Sequence, residues 1–195
     1  MFDPIFATHS YAPTGLSIVT ALTAGVLFAT GIVTYFRNRA SDSISLFLLI
    51  SAIASSWLAS TALGYAAVSA DTALFWARTA QFPVSLLPAA AFHFAAANGR
   101  RWRFPRTAVS AVWIVCATAA VIASTTSFVV PAVTRRPWGF HATGSAGTLV
   151  AGIVAGVIYF AAAFILWTAF RRGEGRASDR AALATRLWLP GRRLL

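Results

Sequence analysis

The sequence predicts an all-α membrane protein, a polytopic bundle of about five transmembrane helices. Hydrophobic residues occupy 58% of the 195 positions, and the mean hydropathy is +0.70. Five apolar runs are each close to the ~20 residues that a helix needs to cross a bilayer core. Arginines crowd every second gap between these runs. The predicted spans cover approximately residues 15–36, 44–68, 74–97, 107–130 and 148–170.

The distribution of basic residues predicts the orientation. All 16 are arginine; thirteen lie on one side if the helices alternate, Arg135 and Arg136 lie on the other, and Arg78 lies within a run. Cytoplasmic loops carry the excess of basic residues, so we expect the N-terminus outside and the C-terminus in the cytoplasm, in a bacterial inner membrane. Because the charge of +11 follows the helix ends, it does not indicate nucleic-acid binding. The first run lacks a preceding basic residue and is not expected to be a cleaved signal peptide.

The first three runs have recognisable ends. Pro13 and Thr14 precede the first run, and Asp42 opens the second. Serine and alanine spacing in the second run would let a neighbouring helix approach closely. The third run begins near Asp71 and ends at a plausible C-cap, Asn98-Gly99.

The last two runs flank the longest outer loop. The fourth run lies between Pro105 and Pro131, and the fifth contains Gly152 and Gly156 at a GxxxG spacing. This spacing favours close helix packing, either inside the protomer or between two protomers. Residues 171–195 are predicted to be an arginine-rich cytoplasmic tail or the start of a truncated sixth helix.

The third run carries the candidate signal-sensing residues. Arg78 and Gln81 lie in its outer third, Pro83 and Pro88 in its middle, and His93 in its inner third. Ionisable groups within a span usually face the bundle interior, and prolines kink a helix and can open a cavity. We therefore predict a ligand pocket beneath the outer surface. Alternatively, Arg78 reaches the outer headgroups and His93 only forms an interior hydrogen bond.

Catalytic, metal and haem sites find no support in the sequence. No predicted span contains Asp or Glu, so a carboxylate dyad within the membrane is excluded. His93 is the only histidine in a span, whereas a bundle haem held by two histidines needs a second. His9 and His141 have too few partners for a metal site. No loop or terminal segment is long enough to bury a catalytic domain, so the sequence predicts a non-enzyme without metal or cofactor.

Several short motifs resemble those of a known membrane region. The third run holds Phe75-Trp-Ala-Arg78, Leu86-Leu-Pro88 and Phe92-His-Phe94, and it ends in Asn98-Gly-Arg-Arg101. Together they resemble the N-terminal seven-helix region of bacterial sensor histidine kinases and diguanylate cyclases. Trp138, Gly139 and Phe140, followed by Gly144, are similar to that family's outer Trp-Gly-aromatic loop. Arg171–Arg180 resembles its cytoplasmic connection before helix six.

The resemblance implies a sensory input module of a two-component system. Its expected partners are the lipid bilayer, a second copy bound through helix contacts, and a cytoplasmic signalling protein. Only five runs are present and no kinase, cyclase or PAS-like module follows them, so we expect a fragment, a truncated reading frame or a degenerate copy. Two alternatives remain: a small transporter that uses Arg78, Gln81 and the proline-broken helix, and an oligomeric scaffold without a ligand.

Overall fold

The computed structural model describes residue 5 and residues 7–37, 41–99 and 104–187, with side chains as far as Arg171. Within this part of the chain, five helices are long and apolar enough to cross a membrane. The predicted fold class is therefore confirmed. The helices are α1 (Gly15–Arg37), α2 (Asp42–Ala66), α3 (Ala70–Asn98), α4 (Arg106–Thr125) and α5 (Ala146–Leu187).

Helix α3 lies at the centre of the bundle. In its most apolar 18-residue window 39% of the residues are buried, against between 11% and 22% in the other four spans. It contacts α2, α4 and α5. Its buried face is built largely from alanines, because small side chains let neighbouring helices approach closely. Ala73, Ala80, Ala89, Ala90 and Ala95 are each at most 4% exposed.

The α1–α2 interface contains the close approach predicted from the serine and alanine spacing. A Cβ added at Gly31 would lie 2.7 Å from the Cβ of Ser51, so only glycine fits there. The hydroxyls of Ser51 and Ser55 are buried and have no hydrogen-bond partner within the described residues. Packing of small residues, rather than polar pairing, therefore joins these two helices.

Polar side chains hold both ends of α3. Ser69 caps its start by accepting a hydrogen bond from the Thr72 N–H. At its other end the Gly99 N–H donates to the Ala95 carbonyl over 2.8 Å, as expected for the predicted C-cap. The Ser43 hydroxyl at the start of α2 donates to the Asn98 side chain over 2.8 Å. These bonds fix the length of α3 and its position beside α2.

Helix α4 is shorter than predicted. It ends at Thr125, whereas the apolar pattern placed the end at residue 130. The chain then turns, and Val129 and Val130 pack with Ala123 in a buried cluster. The apolar run thus continues past the helix because its last residues belong to the core of the bundle.

The connection between α4 and α5 contains a β-hairpin that the sequence analysis did not predict. Strands β1 (Val133–Arg136) and β2 (Gly139–Ala142) pair antiparallel, with Val133 opposite Ala142 and Arg136 opposite Gly139. The hairpin contacts α2 and α3. We call this end of the bundle the hairpin end.

Helix α5 is longer than the predicted span. It continues past residue 170 to Leu187, so the arginine-rich stretch begins as an extension of the same helix. A helix of 42 residues is about 63 Å long, roughly twice the thickness of a bilayer core. The remaining tail, residues 188–195, and Arg39, Arg100, Arg101 and Arg103 lie outside the described residues.

The GxxxG glycines do not pack within the protomer. Gly152 and Gly156 are exposed, and no atom of the described chain lies within 4 Å of a Cβ added at either position. Of the two alternatives, packing inside the protomer is therefore wrong for the described part of the chain. Contact between two protomers stays a prediction.

Candidate functional site

The hairpin lies directly on the end of α2 because of one glycine. Gly139 has a φ of 128°, a conformation that other residues rarely adopt. A Cβ at this position would lie 2.5 Å from the carbonyl oxygen of Tyr65. The glycine thus permits both the backbone conformation and the close approach to α2.

A cavity of about 170 Å³ lies between α2, α3 and the hairpin. We call it the hairpin cavity. It is slightly larger than the ~150 Å³ apolar cavities known to accept benzene, so its volume suits a small molecule. Helix α2 contributes Trp57, Thr61, Gly64 and Tyr65; α3 contributes Ala73, Ala77, Ala80 and Gln81; the hairpin contributes Val133, Phe140, His141 and Ala142.

The lining combines apolar walls with a few polar groups. Alanines of α3 leave the space open, because they extend no further than a methyl group. The Gln81 amide and the Thr61 hydroxyl can each form hydrogen bonds with a ligand. A mostly apolar concavity with a small number of polar groups is the usual composition of a small-molecule site.

The structure brings two predicted residues into this cavity. Gln81 and Phe140, which are 59 positions apart, both line it. Arg78 is not among the lining residues. Its Nε donates a hydrogen bond to the Val130 carbonyl oxygen over 3.2 Å, which ties α3 to the segment between α4 and β1.

The two prolines lie between the hairpin cavity and the opposite end of α3. Both are buried, and α3 is one uninterrupted helix through Pro83 and Pro88. Each proline removes a backbone donor, and the kink expected at these positions stays a prediction. The carbonyls of Thr79 and Val84, four residues earlier, thus lack the usual helical N–H.

The remaining predicted residues lie apart from the cavity lining. His93 Nδ1 accepts a hydrogen bond from Trp113 Nε1 over 3.4 Å, and the two rings are nearly perpendicular at 86°. Trp138 lies in the hairpin turn with 48% of its surface exposed. Within the described residues, no three His, Cys, Asp or Glu side chains cluster as metal ligands.

Sequence reasoning missed the contribution of α2 to the cavity. Trp57, Thr61 and Tyr65 recur every four residues and therefore share one face of the helix. This stripe of aromatic and polar side chains could have indicated that α2 contributes to a binding site. His141 gave no comparable signal, because its role depends on a hairpin that the sequence analysis did not predict.

Five membrane-competent helices and a small cavity beneath a hairpin define the class of protein: a multi-pass α-helical membrane protein with a candidate ligand site at one end. The chain belongs to a more particular family. Residues 18–185 match the family described as the N-terminal 7TM region of histidine kinase. Membership implies a membrane sensory input module, since this region is distinct from the catalytic part of those kinases. Comparisons with curated proteins and with solved structures found no match.

Proposed function

We propose that the chain senses a small, uncharged molecule in the hairpin cavity and signals to a cytoplasmic output unit. The position of the cavity carries this proposal. Its walls come from α2, from the hairpin and from α3, the helix that also contacts α4 and α5. A ligand there would touch the element whose movement affects most of the bundle.

The lining suggests the chemistry of the ligand. Among the described residues, no Arg, Asp or Glu lines the cavity, whereas three aromatic residues of α2 and β2 do: Trp57, Tyr65 and Phe140. A charged ligand would lose hydration there without gaining a counter-charge. A compact, partly apolar molecule that exchanges a hydrogen bond with the Gln81 amide fits better.

Transmission would run through α3 to α5. Beyond the prolines, Phe92 and Ala95 pack with Ala162 and Ile165 of α5 in a buried cluster. Helix α5 then continues without a break to Leu187. Because packed helices shift between discrete arrangements, a ligand that prefers one arrangement changes their populations. Helix α5 would carry that change beyond the membrane.

The other candidate residues would support this movement. Pro83 and Pro88 would let α3 bend, since fewer backbone hydrogen bonds resist it. Arg78 would hold the α4–β1 segment, and His93 with Trp113 would join α3 to α4 near the far end. Trp138, Gly139 and Phe140 would form the hairpin cover of the cavity.

We also propose the setting in which the module works. The hairpin end would face outward from the bacterial inner membrane, and α5 would extend into the cytoplasm, as the arginine distribution predicts. Two copies would pair through the exposed face of α5 that carries Gly152 and Gly156. A transporter is less favoured, because helices broken at the binding site are typical of transporters and α3 is continuous.

The proposal can be tested by joining this membrane region to the kinase output domain of a family member. Autophosphorylation in membrane vesicles would be measured for Gln81→Ala, for Ala77→Leu, which fills the cavity, and for Pro88→Ala. Coupling between linked sites is typically about 1–3 kcal/mol, so output should change about five-fold or more.

Thr20→Ala is the matched control. Thr20 lies on α1 and donates only to the Leu16 carbonyl of its own helix, over 2.8 Å. All variants must reach the same membrane level for the comparison. If the three site variants gave the output of Thr20→Ala, signalling through the cavity and α3 would be excluded.

A further inference from the structure

The start of α5 is hydrogen-bonded to the segment that follows α4. The Thr148 hydroxyl donates a hydrogen bond to the Val129 carbonyl over 2.7 Å, and the Ser145 hydroxyl donates to the Phe128 carbonyl. Two consecutive carbonyls of this segment are thus held by side chains of α5 and of the residue just before it. We call these four residues the α5 clasp.

The same two hydroxyls also cap α5. The Ser145 N–H donates to the Thr148 hydroxyl over 2.9 Å, and the Thr148 N–H donates to the Ser145 hydroxyl over 3.4 Å. These reciprocal bonds form a capping box, with a threonine in place of the usual Glu or Gln. Each hydroxyl therefore accepts a bond from the start of the helix and donates one to the segment after α4. Because the two elements share these groups, they should move together.

Helix α5 is held at two places. Among its residues with described side chains, the buried ones are Gly147 at the clasp and Ala162 and Ile165 in the cluster with α3. A Cβ added at Gly147 would contact the Phe128 carbonyl oxygen, so the helix meets the backbone of this segment directly. The two places are roughly 22 Å apart at 1.5 Å per residue. A continuous helix held in this way tilts when one of the two places is displaced.

The hairpin cavity adjoins the clasp through two of its lining residues. Val129 and Val130 form a buried cluster with Ala123, and both Ala77 and Ala142 pack against this cluster. Ala77 of α3 and Ala142 of β2 also line the hairpin cavity. A series of contacts thus connects the cavity to the start of α5, through the residues whose carbonyls the clasp holds.

We propose that the α5 clasp couples the hairpin cavity to the start of α5, in parallel with the contact between α3 and α5. A molecule in the cavity would displace Ala77 or Ala142 and with them the valine cluster. The hydroxyls of Ser145 and Thr148 would pass this displacement to α5, which makes them positioning residues. The inference deepens the transmission step and rests on the proposed function for its role in signalling.

The coupling can be measured on the purified full chain in nanodiscs, without a ligand or an output domain. Spin labels would be attached at Leu22→Cys on α1 and Ile153→Cys on α5, both exposed positions, in a Cys116→Ala background. Helix α1 is the reference, because its main neighbour is α2. Ala77→Leu fills the cavity and presses on the valine cluster. It should change the distance between the labels by about 1 Å or more, because nonbonded carbon atoms settle about 3.5–4.0 Å apart.

Ser145→Ala combined with Thr148→Val removes the hydroxyls of the clasp. In this background Ala77→Leu should lose more than half of its effect on the label distance. The pair alone should broaden the distance distribution, since the start of α5 is then less restrained. Ser124→Ala combined with Thr168→Val is the matched control: it removes the same groups, but each of these hydroxyls donates to a carbonyl of its own helix.

The proposal fails if Ala77→Leu leaves the label distance unchanged in the intact chain, or changes it equally after removal of the clasp. It also fails if the control pair abolishes the effect as fully as the clasp pair does. If Ala77→Leu does not fold, the clasp pair alone decides: a distribution as narrow as that of the control excludes the clasp as a restraint on α5. Autophosphorylation of the fusion to a kinase output domain tests the proposed function separately, so either can fail while the other stands.

Discussion

At the scale of single residues, Gly139 holds the hairpin on the end of α2. Its left-handed conformation places the hairpin turn against the Tyr65 carbonyl, and the next residue, Phe140, lines the hairpin cavity. Gly139→Ala should destabilise the protein by about 1–3 kcal/mol, because a strained backbone is costly for residues with a Cβ. The part of the hairpin cavity that Tyr65 and Phe140 line should also shift. Thermal unfolding and Trp138 fluorescence in micelles would measure both effects.

Gly144→Ala provides the comparison for this residue. A Cβ at Gly144 would lie 3.6 Å from the nearest atom, Thr148 Oγ1, an ordinary contact. This variant should unfold like the wild type. Equal unfolding midpoints for Gly139→Ala and Gly144→Ala would show that the hairpin does not depend on the conformation of Gly139.

Arg78 shows how a charge is accommodated within a span. A charged side chain at the bilayer centre costs about 2.5–3.5 kcal/mol on insertion scales. Here the Nε has a partner in the Val130 carbonyl, which lies in the turn after α4 and therefore needs a donor from outside its own helix. One hydrogen bond thus gives the Arg78 Nε–H and the Val130 carbonyl each a partner, and it ties the segment after α4 to the hairpin end of α3.

At the scale of the helices, α5 differs most from its neighbours. Only 11% of the residues in its most apolar window are buried, the lowest share among the described spans. Large apolar side chains on its surface are exposed: Phe160 is 75% exposed and Val157 65%. Lipid or another helix must cover them. Pairing with a second copy would bury part of this surface.

Pairing through α5 can be tested with glycine substitutions. Gly152→Leu combined with Gly156→Leu should lower energy transfer between differently labelled copies in vesicles, because larger side chains prevent close approach of the helices. Gly25→Leu on α1 is the control, since it too is a glycine with no atom within 4 Å of an added Cβ. Unchanged transfer in the double variant would exclude pairing through this face.

At the scale of the whole molecule, the orientation of the bundle remains a prediction. It depends on the thirteen arginines assigned to one side and the two assigned to the other. Reporter fusions after Arg39 and Arg103 should be active as cytoplasmic fusions, and those after Ser69 and Phe140 as external ones. Inverted signals at both pairs would reverse the orientation. Inversion at one pair alone would mean that one span had been counted wrongly.

The candidate site was only partly predictable from the sequence. Gln81 was singled out because a polar side chain in an apolar run is unusual, and it does line the hairpin cavity. Arg78 was selected by the same reasoning, yet its side chain is directed to Val130. The difference depends on where the chain runs after α4. Hydropathy could not show this, because buried loop residues such as Val129 are as apolar as helical ones.

The sequence by itself determined that this protein is a bundle of membrane helices, and its motifs pointed to the family. Span length and hydropathy are local properties, because the transfer of a segment into lipid depends on the residues of that segment. Each motif is local as well, since it consists of a few consecutive residues. Only the tertiary structure decided which side chains meet. The hairpin cavity needs Trp57 on α2, Gln81 on α3 and Phe140 on β2 to converge. That convergence follows from α3 being central and from Gly139 allowing the hairpin to lie on α2, and no single segment encodes it.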